Sequence, residues 1–417
     1  MQSDSSSEGR SISQSSPLRL AVFGWVQEGG GSVASAHFQL CGALLKSGHH
    51  LDFYADPSFV PDPGYRTPRF EYVPVEVSLR RELDPDRFPG SMKVAVSRLG
   101  GARRTRRYRE LGVLIARSRH SALPYDAVLF LGTPPGSTID GIPTIVWPQS
   151  SPQNELLAIR NMSSSIKRIS GRSAYLKLRL YYEVKDRLAW RWARRHYLVL
   201  ASRAARDEAV AFGVPVDRVC VTPYAVDLAR FVPGETPSAP LRRVLCIGRL
   251  DPRKRVDLLV DAVAVLATRR DDFRVDVIGR DGYIPGWSAF VEQAGRHLPI
   301  TYRDAVPQSE ILEHLQSADV VVQPSEREEF GHAVAEALAC GIPVVTGPTN
   351  GTREYAPRDA SVTFDRYNPQ SLAEAIEGAL AISRAPSVRA ACRAAAGAFA
   401  PERVAATVVD FIRASGV

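Results

Sequence analysis

Glu328-Glu329-Phe330-Gly331-His332-Ala333-Val334-Ala335-Glu336, continuing through an apolar run to Gly341-Ile342-Pro343-Val344-Val345-Thr346, decides how this chain is read. Ala335–Cys340 is apolar and stops at a glycine, and the residues after it have the composition of a buried strand. The segment therefore predicts a helix opened by Gly331 and closed by Gly341. A helix opening of this kind turns backbone N–H groups and positive dipole toward an anion, usually a phosphate. Glu328 falls on the loop before the helix and Glu336 inside it. Both are placed to bond hydroxyls of a ligand whose phosphate sits at the helix end, and sugar hydroxyls beside a diphosphate fit that geometry. An amphipathic helix with two solvated glutamates has the same spacing, so the stretch alone does not choose.

A second element tips the choice. Arg243-Val244-Leu245-Cys246-Ile247-Gly248 is a short apolar strand running into Arg249-Leu250-Asp251-Pro252-Arg253-Lys254-Arg255, and Val256 to Leu266 has helical periodicity. The carboxyl end of a parallel strand is where open α/β sheets bind ligands. Arg249 and Lys254 are thus placed to neutralise a phosphate from the side opposite the helix, while Arg253 and Arg255 read as solvated.

Gly248-Arg249-Leu250…Lys254 together with Glu328-x-Phe330-Gly331…Glu336 resembles the family 4 glycosyltransferases, retaining enzymes of the GT-B fold. The likeness covers most of the chain. Leu18–Gly24, Gly29-Gly30-Gly31-Ser32 and Gly48-His49 resemble the family's first strand, glycine loop and first helix. Pro223-Tyr224-Ala225-Val226-Asp227 resembles its inter-domain crossing, and Ala318–Ser325 its strand before the glutamate motif.

The resemblance implies two Rossmann-like domains facing a cleft, with a nucleoside-diphosphate sugar, UDP- or GDP-linked, as donor. It implies that Arg249 and Lys254 contact the leaving diphosphate, Glu328 the donor sugar and Glu336 the ribose. Arg249, Lys254 and Glu328 are then the catalytic set. Gly248, Phe330, Gly331 and His332 would line the donor, and Gly30, Gly31 and Ser32 would close on it from the first domain. A glycine there permits close backbone approach; a plain tight turn is the alternative.

The chain departs from the family on the acceptor side. Where many members carry histidines, it reads Leu131-Gly132-Thr133-Pro134 and Pro148-Gln149-Ser150-Ser151. Gln149, with Ser150, is the natural hydrogen-bonding replacement, although an amide is neither acid nor base. His37 and His49 read as surface or packing residues. No metal or other cofactor is expected: Asp84-Pro85-Asp86 lies in an Arg- and Pro-rich loop with no strand before it, and Arg249, Lys254 and the helix opening supply the charge instead. A nucleotide-sugar 2-epimerase and a non-catalytic binding protein on the same fold are the other readings.

At 417 residues, 45% apolar and 24% charged, the chain has the size of two globular domains. The expected division is a disordered tail over 1–17, an acceptor-side domain over 18–231 and a nucleotide-sugar domain over 232–390. Helices over 391–417 then return toward the first domain. The Ser-rich start has no apolar core and reads as a tail rather than a signal peptide. Five widely spaced cysteines without zinc spacing suit a reducing cytoplasm.

The formal charge of +8 is concentrated. Arg103, Arg104, Arg106, Arg107 and Arg109 form one cluster. Lys167 to Arg195 forms another, interleaved with Tyr181, Tyr182, Trp190 and Trp192. No nucleic-acid motif accompanies them. Solvated helix faces, an anionic membrane surface, at the inner face of the membrane, and a phosphorylated acceptor are the readings. The expected partners are a nucleotide sugar and an acceptor glycan or small molecule.

Overall fold

The computed structural model describes residues 16–24, 32–55, 65, 67–76, 107–132, 138–148, 152–282 and 284–416, except for the side chains of residues 32, 152 and 187–192. The glycine-loop residues Gly30 and Gly31, the acceptor-side Gln149 and Ser150, the Asp84–Asp86 pair and most of the expected tail lie outside that set.

Short apolar segments form two parallel sheets. The first has seven strands: β1 (Arg19–Gly24), β2 (His50–Ala55), β3 (Phe70–Pro74), β4 (Ala127–Leu131), β5 (Thr144–Trp147), β6 (Tyr197–Leu200) and β7 (Val219–Val221). Their spatial order is β3-β2-β1-β4-β5-β6-β7. The second has six: β8 (Arg242–Ile247), β9 (Phe273–Ile278), β10 (Ile300–Arg303), β11 (Val320–Gln323), β12 (Val344–Thr346) and β13 (Ser361–Thr363). They are ordered β10-β9-β8-β11-β12-β13. Runs such as Val320-Val321-Val322, at most 1% exposed, need cover on both faces, which helices supply. Each sheet reverses its strand order once, at β1/β4 and at β8/β11, and ligands of open α/β sheets sit beyond the carboxyl ends of the strands at such a switch. The two sequence motifs follow β8 and β11, so the topology brings them together.

The helices are α1 (Ser32–Lys46), α2 (residues 107–120), α3 (Pro152–Asn161), α4 (Ser163–Ile169), α5 (Arg172–Ala193), α6 (Arg203–Ala211), α7 (Val256–Ala267), α8 (Trp287–Ala294), α9 (Ile311–Gln316), α10 (His332–Ala339), α11 (Pro369–Ile382), α12 (Pro386–Ala395) and α13 (Pro401–Ser415). As the sequence predicts, α10 lies between Gly331 and Gly341, both at positive φ (86° and 71°). The basic stretch Lys167 to Arg195 is divided between α4 and α5 at Gly171, whose φ of 90° no continuing helix can accommodate.

Helices cross between the halves in both directions. The final helix α13 packs against α1 of the first sheet, and Arg413 donates to the Ser16 carbonyl at 3.1 Å. In return, Leu156, Ile159, Met162, Ile166, Tyr175 and Leu178 of α3–α5 share a core with Val244, Leu259 and Trp287 around the second sheet. Polar contacts seal that seam, with Ser165 Oγ donating to Asp257 at 2.7 Å and Ser170 Oγ to the Pro285 carbonyl at 2.8 Å.

Candidate active site

The site begins where β8 ends. Gly248 and Gly279 close β8 and β9 at φ 145° and 155°, and a Cβ on Gly279 would overlap the Gly248 carbonyl. The two chains can therefore approach closely only as glycine. Beyond Gly248, a single 3-10 turn over Pro252–Lys254, closed by Lys254 N–H on the Asp251 carbonyl at 2.9 Å, turns the basic side chains inward. Arg249 stays at the mouth, 55% exposed, with its Nε 3.5 Å from Asp251.

The opposite wall comes from β11. The loop after Gln323 carries Glu328 and turns at Gly331, where a Cβ would overlap the Gln323 side chain and crowd Thr352. The α10 N-terminus then faces Lys254 across a cavity of about 200 Å³, lined by Gly248, Arg249, Lys254, Glu328, Phe330, Gly331, His332 and Ala333. Val33 at the start of α1, Tyr224 of the crossing segment, Glu155, Ile247, Arg253 and Gln323 complete it.

Glu328 is buried between two cations. One oxygen accepts from Lys254 Nζ, and the other lies 3.0 Å from Arg253 Nη1. Burial alone would push this carboxyl up. The charges of Arg253 and Lys254 outweigh it and hold Glu328 well below the usual carboxylate range. His332 behaves oppositely. Burial first, then the neighbouring His37 and Lys254, pull its imidazole down to about 3, against the opposing pull of Glu328. It is therefore neutral at physiological pH, and its Nε2 is buried without a hydrogen bond among the described residues. Tyr224 forms the aromatic wall beside it, 4.9 Å from the His332 ring, 5.5 Å from Phe330 and stacked at 5.0 Å on Trp147. Its hydroxyl donates to the Pro148 carbonyl at 3.0 Å.

Seven of the residues singled out in the sequence thus meet in one cavity: Gly248, Arg249, Lys254, Glu328, Phe330, Gly331 and His332. Glu336 is not among the lining residues. It sits buried on α10, where burial raises its carboxyl to about 7 against the opposing effects of Arg230 and Gln308. Ser32 opens α1, its side chain outside the described set.

The reading of two arginines needs correction. Arg253 and Arg255 are not solvated: their side chains are 8% and 13% exposed. Arg253 pairs with Glu155 at 2.9 Å as well as Glu328, and Arg255 with Glu326 at 2.9 Å and Asp257 at 3.2 Å. Of the surface and packing readings of His37, packing holds. The residue is 1% exposed and packs 5.9 Å from the Tyr224 ring, while His49 accepts from the Leu18 N–H at 3.0 Å. Glu155 escaped the sequence reading because nothing beside it in the chain marks it. Tyr224 carried a signal, its place in the crossing segment.

Residues 236–396 match the family model described as Glycosyl transferases group 1. The D-inositol 3-phosphate glycosyltransferase of Paenarthrobacter aurescens is 33% identical over 194 residues, covering 43% of this chain and 48% of that protein. The GDP-mannose-dependent alpha-(1-6)-phosphatidylinositol monomannoside mannosyltransferase of Mycolicibacterium smegmatis is 30% identical over 174 residues, covering 38% and 45%. The chain spans about half the length of the curated relatives it matches. Among solved structures, sucrose-phosphate synthase of Thermosynechococcus elongatus superposes with a TM-score of 0.63 at 17% identity over 94% of this chain and 98% of its own. Anabaena HepE in complex with UDP and glucose gives 0.60 at 15% over 94% and 98%. The fold is GT-B, and the resemblance to GT-B glycosyltransferases read from the sequence is borne out.

The raised carboxyl of Glu336 sets a pH dependence. Unfolded, this group loses its proton near the ordinary glutamate value; folded, it keeps the proton up to about 7. Its contribution is complete below the unfolded value and is lost as pH rises through about 7. Glu336→Gln is expected to raise the thermal midpoint relative to wild type at pH 8 and to leave it nearly unchanged at pH 4. Melting curves of both proteins at the two pH values check this, and equal shifts would refute it.

Proposed function

We propose that this protein is a glycosyltransferase that moves a sugar from a nucleoside-diphosphate donor to an acceptor hydroxyl with retention of configuration and without a metal. One observation carries the reading: Lys254 and Arg249 face the α10 N-terminus across a single cavity, with the ionised Glu328 held there by Lys254 and Arg253. A diphosphate there would meet cations on one side and backbone dipole on the other. Glu328 and the neutral His332 would hold hydroxyls of the donor sugar, the first as acceptor and the second through its buried Nε2. In the transfer, the bond from the anomeric carbon to the phosphate oxygen breaks and a bond to the acceptor oxygen forms on the same face. The acceptor proton passes to the departing phosphate. The relatives' names point the same way: one is GDP-mannose-dependent, and several act on inositol phosphate.

Both cations touch charge that grows as the diphosphate leaves, so Lys254→Ala and Arg249→Ala should each lower turnover by about 100-fold or more. Donor affinity should fall less. Assay of both variants against a panel of UDP- and GDP-sugars tests it, and undiminished turnover in either would place the diphosphate elsewhere. The described residues hold no group of three or more His, Cys, Asp or Glu suited to a metal. Turnover is expected to persist in excess EDTA. Complete loss, restored by magnesium or manganese, would bring Asp84 and Asp86 into the mechanism.

A specific observation favours a membrane-associated acceptor. No helix among the described residues is long and apolar enough to span a bilayer. However, α5 exposes Leu176, Leu180, Tyr181 and Val184 at 62%, 64%, 58% and 52%, along one side of the helix, with Tyr175, Leu178 and Tyr182 turned to the core. Arg172, Lys177, Arg179 and Lys185 are exposed around that apolar stripe. Glu183, the acid nearest it, is paired with Arg179 at 2.8 Å and Arg160 at 3.2 Å. Such a helix suits the boundary of an anionic bilayer, each cation adding about 1 kcal/mol. Co-sedimentation with anionic vesicles at low salt is expected, weakened by high salt and by Leu180→Glu with Val184→Glu. Absence of binding at low salt would indicate a soluble acceptor.

A further inference from the structure

Lys254 has two demands upon it. It pairs with Glu328, yet the proposed reaction turns it toward the diphosphate. A buried glutamate that lost its only cation would swing after it or take up a proton, and in either case would no longer meet the sugar as a fixed, charged acceptor. The structure supplies a second cation that has no such competing task. Arg253 lies behind Glu328, with its side chain 8% exposed. Its Nη1 is 3.0 Å from Glu328 Oε1, and its Nε is 2.9 Å from Glu155 Oε1. Nη1 also points to the Arg327 carbonyl at 3.4 Å, and the Arg253 carbonyl accepts from the Glu326 N–H at 2.8 Å. The guanidinium is thus held at both ends, and Glu155 is 5% exposed on α3, a helix that follows β5 in the chain.

We propose that Arg253 is a positioning residue for Glu328, anchored by Glu155, that keeps the glutamate ionised and oriented when Lys254 turns to the donor diphosphate. Oε1 stays on Arg253, and Oε2, which faces Lys254, becomes free to accept from a sugar hydroxyl. A planar guanidinium can serve two carboxylates at once, which an ammonium at the same place cannot do with the same geometry. Because Glu155 comes from α3, the setting of the donor glutamate depends on the helices that cross from the first half of the chain.

This inference rests on the donor-site reading above, and the test separates the two. The probes are UDP, GDP, UDP-glucose and GDP-mannose, titrated calorimetrically at pH 5 and pH 8 into wild type, Arg253→Lys and the double variant Arg253→Met with Glu155→Gln. The double variant removes the pair as a unit and so leaves no buried Glu155 charge without its partner. For the nucleotide that binds wild type, the double variant should lose about 10-fold or more in affinity for the nucleotide sugar and under about 3-fold for the bare diphosphate. The loss should deepen at pH 5, where Glu328 without Arg253 takes up a proton. Arg253→Lys should recover part of the affinity and remove part of the pH dependence. Equal losses for sugar and diphosphate, or a sugar-specific loss that is the same at both pH values, would make Arg253 merely structural and overturn the proposal. If the double variant does not fold, the same criteria apply to Arg253→Lys, with a smaller loss expected. Binding of none of the four probes by wild type would instead overturn the donor-site reading, and this inference with it.

Discussion

Everything in the cavity depends on the ionised carboxylate of Glu328 being tolerable in a place where water hardly reaches. A buried charge is costly unless its partners are close and well aligned. Lys254 and Arg253 meet that condition from one short turn, and Glu155 balances the second cation. The four side chains amount to two cationic and two acidic groups, whose formal charges sum to zero. The loop carrying Glu328 is held by the same cluster, through Glu326 N–H on the Arg253 carbonyl and Arg255 on Glu326.

That cluster requires a particular architecture. The turn bearing Lys254 follows β8 and the loop bearing Glu328 follows β11. They are neighbours only because β8 and β11 pair at the point where the strand order reverses. Glu155 is brought in by a different route, on helices whose apolar sides are buried against the second sheet rather than the first. The exchange is mutual, since α13 crosses to α1. Each half therefore contributes helices to the other's surface.

Three buried ionisable groups on or before α10 have been driven to different states by their surroundings. Glu328, beside two cations, is ionised; Glu336, one turn within the helix and opposed only by Arg230 and Gln308, holds its proton to about 7; His332 is neutral. Residue type alone would have given the two glutamates the same character. Their separation is a matter of which charges lie within a few ångströms, and it leaves one acceptor, one switchable acid and one neutral imidazole along a single helix end.

The sequence by itself determined the repeating strand–helix order, the glycines that open and close α10, and the two motifs that follow β8 and β11. These were legible because they are local: apolar runs, positive-φ glycines and clustered charge are all properties of a few consecutive residues. The break at Gly171 is not legible in the chain, because a glycine within a helical pattern is compatible with continuation or with a stop. Tertiary structure alone decided that Arg253 is buried and Arg255 mostly covered, since their partners Glu155 and Glu326 lie 98 and 71 residues away in the chain. It also decided that α3–α5 pack on the second sheet, that His37 lies beside Tyr224, and that Glu336 stands back from the cavity. Burial and ion pairing are set by whatever the fold brings to a residue, and no periodicity in the chain encodes a neighbour that far away.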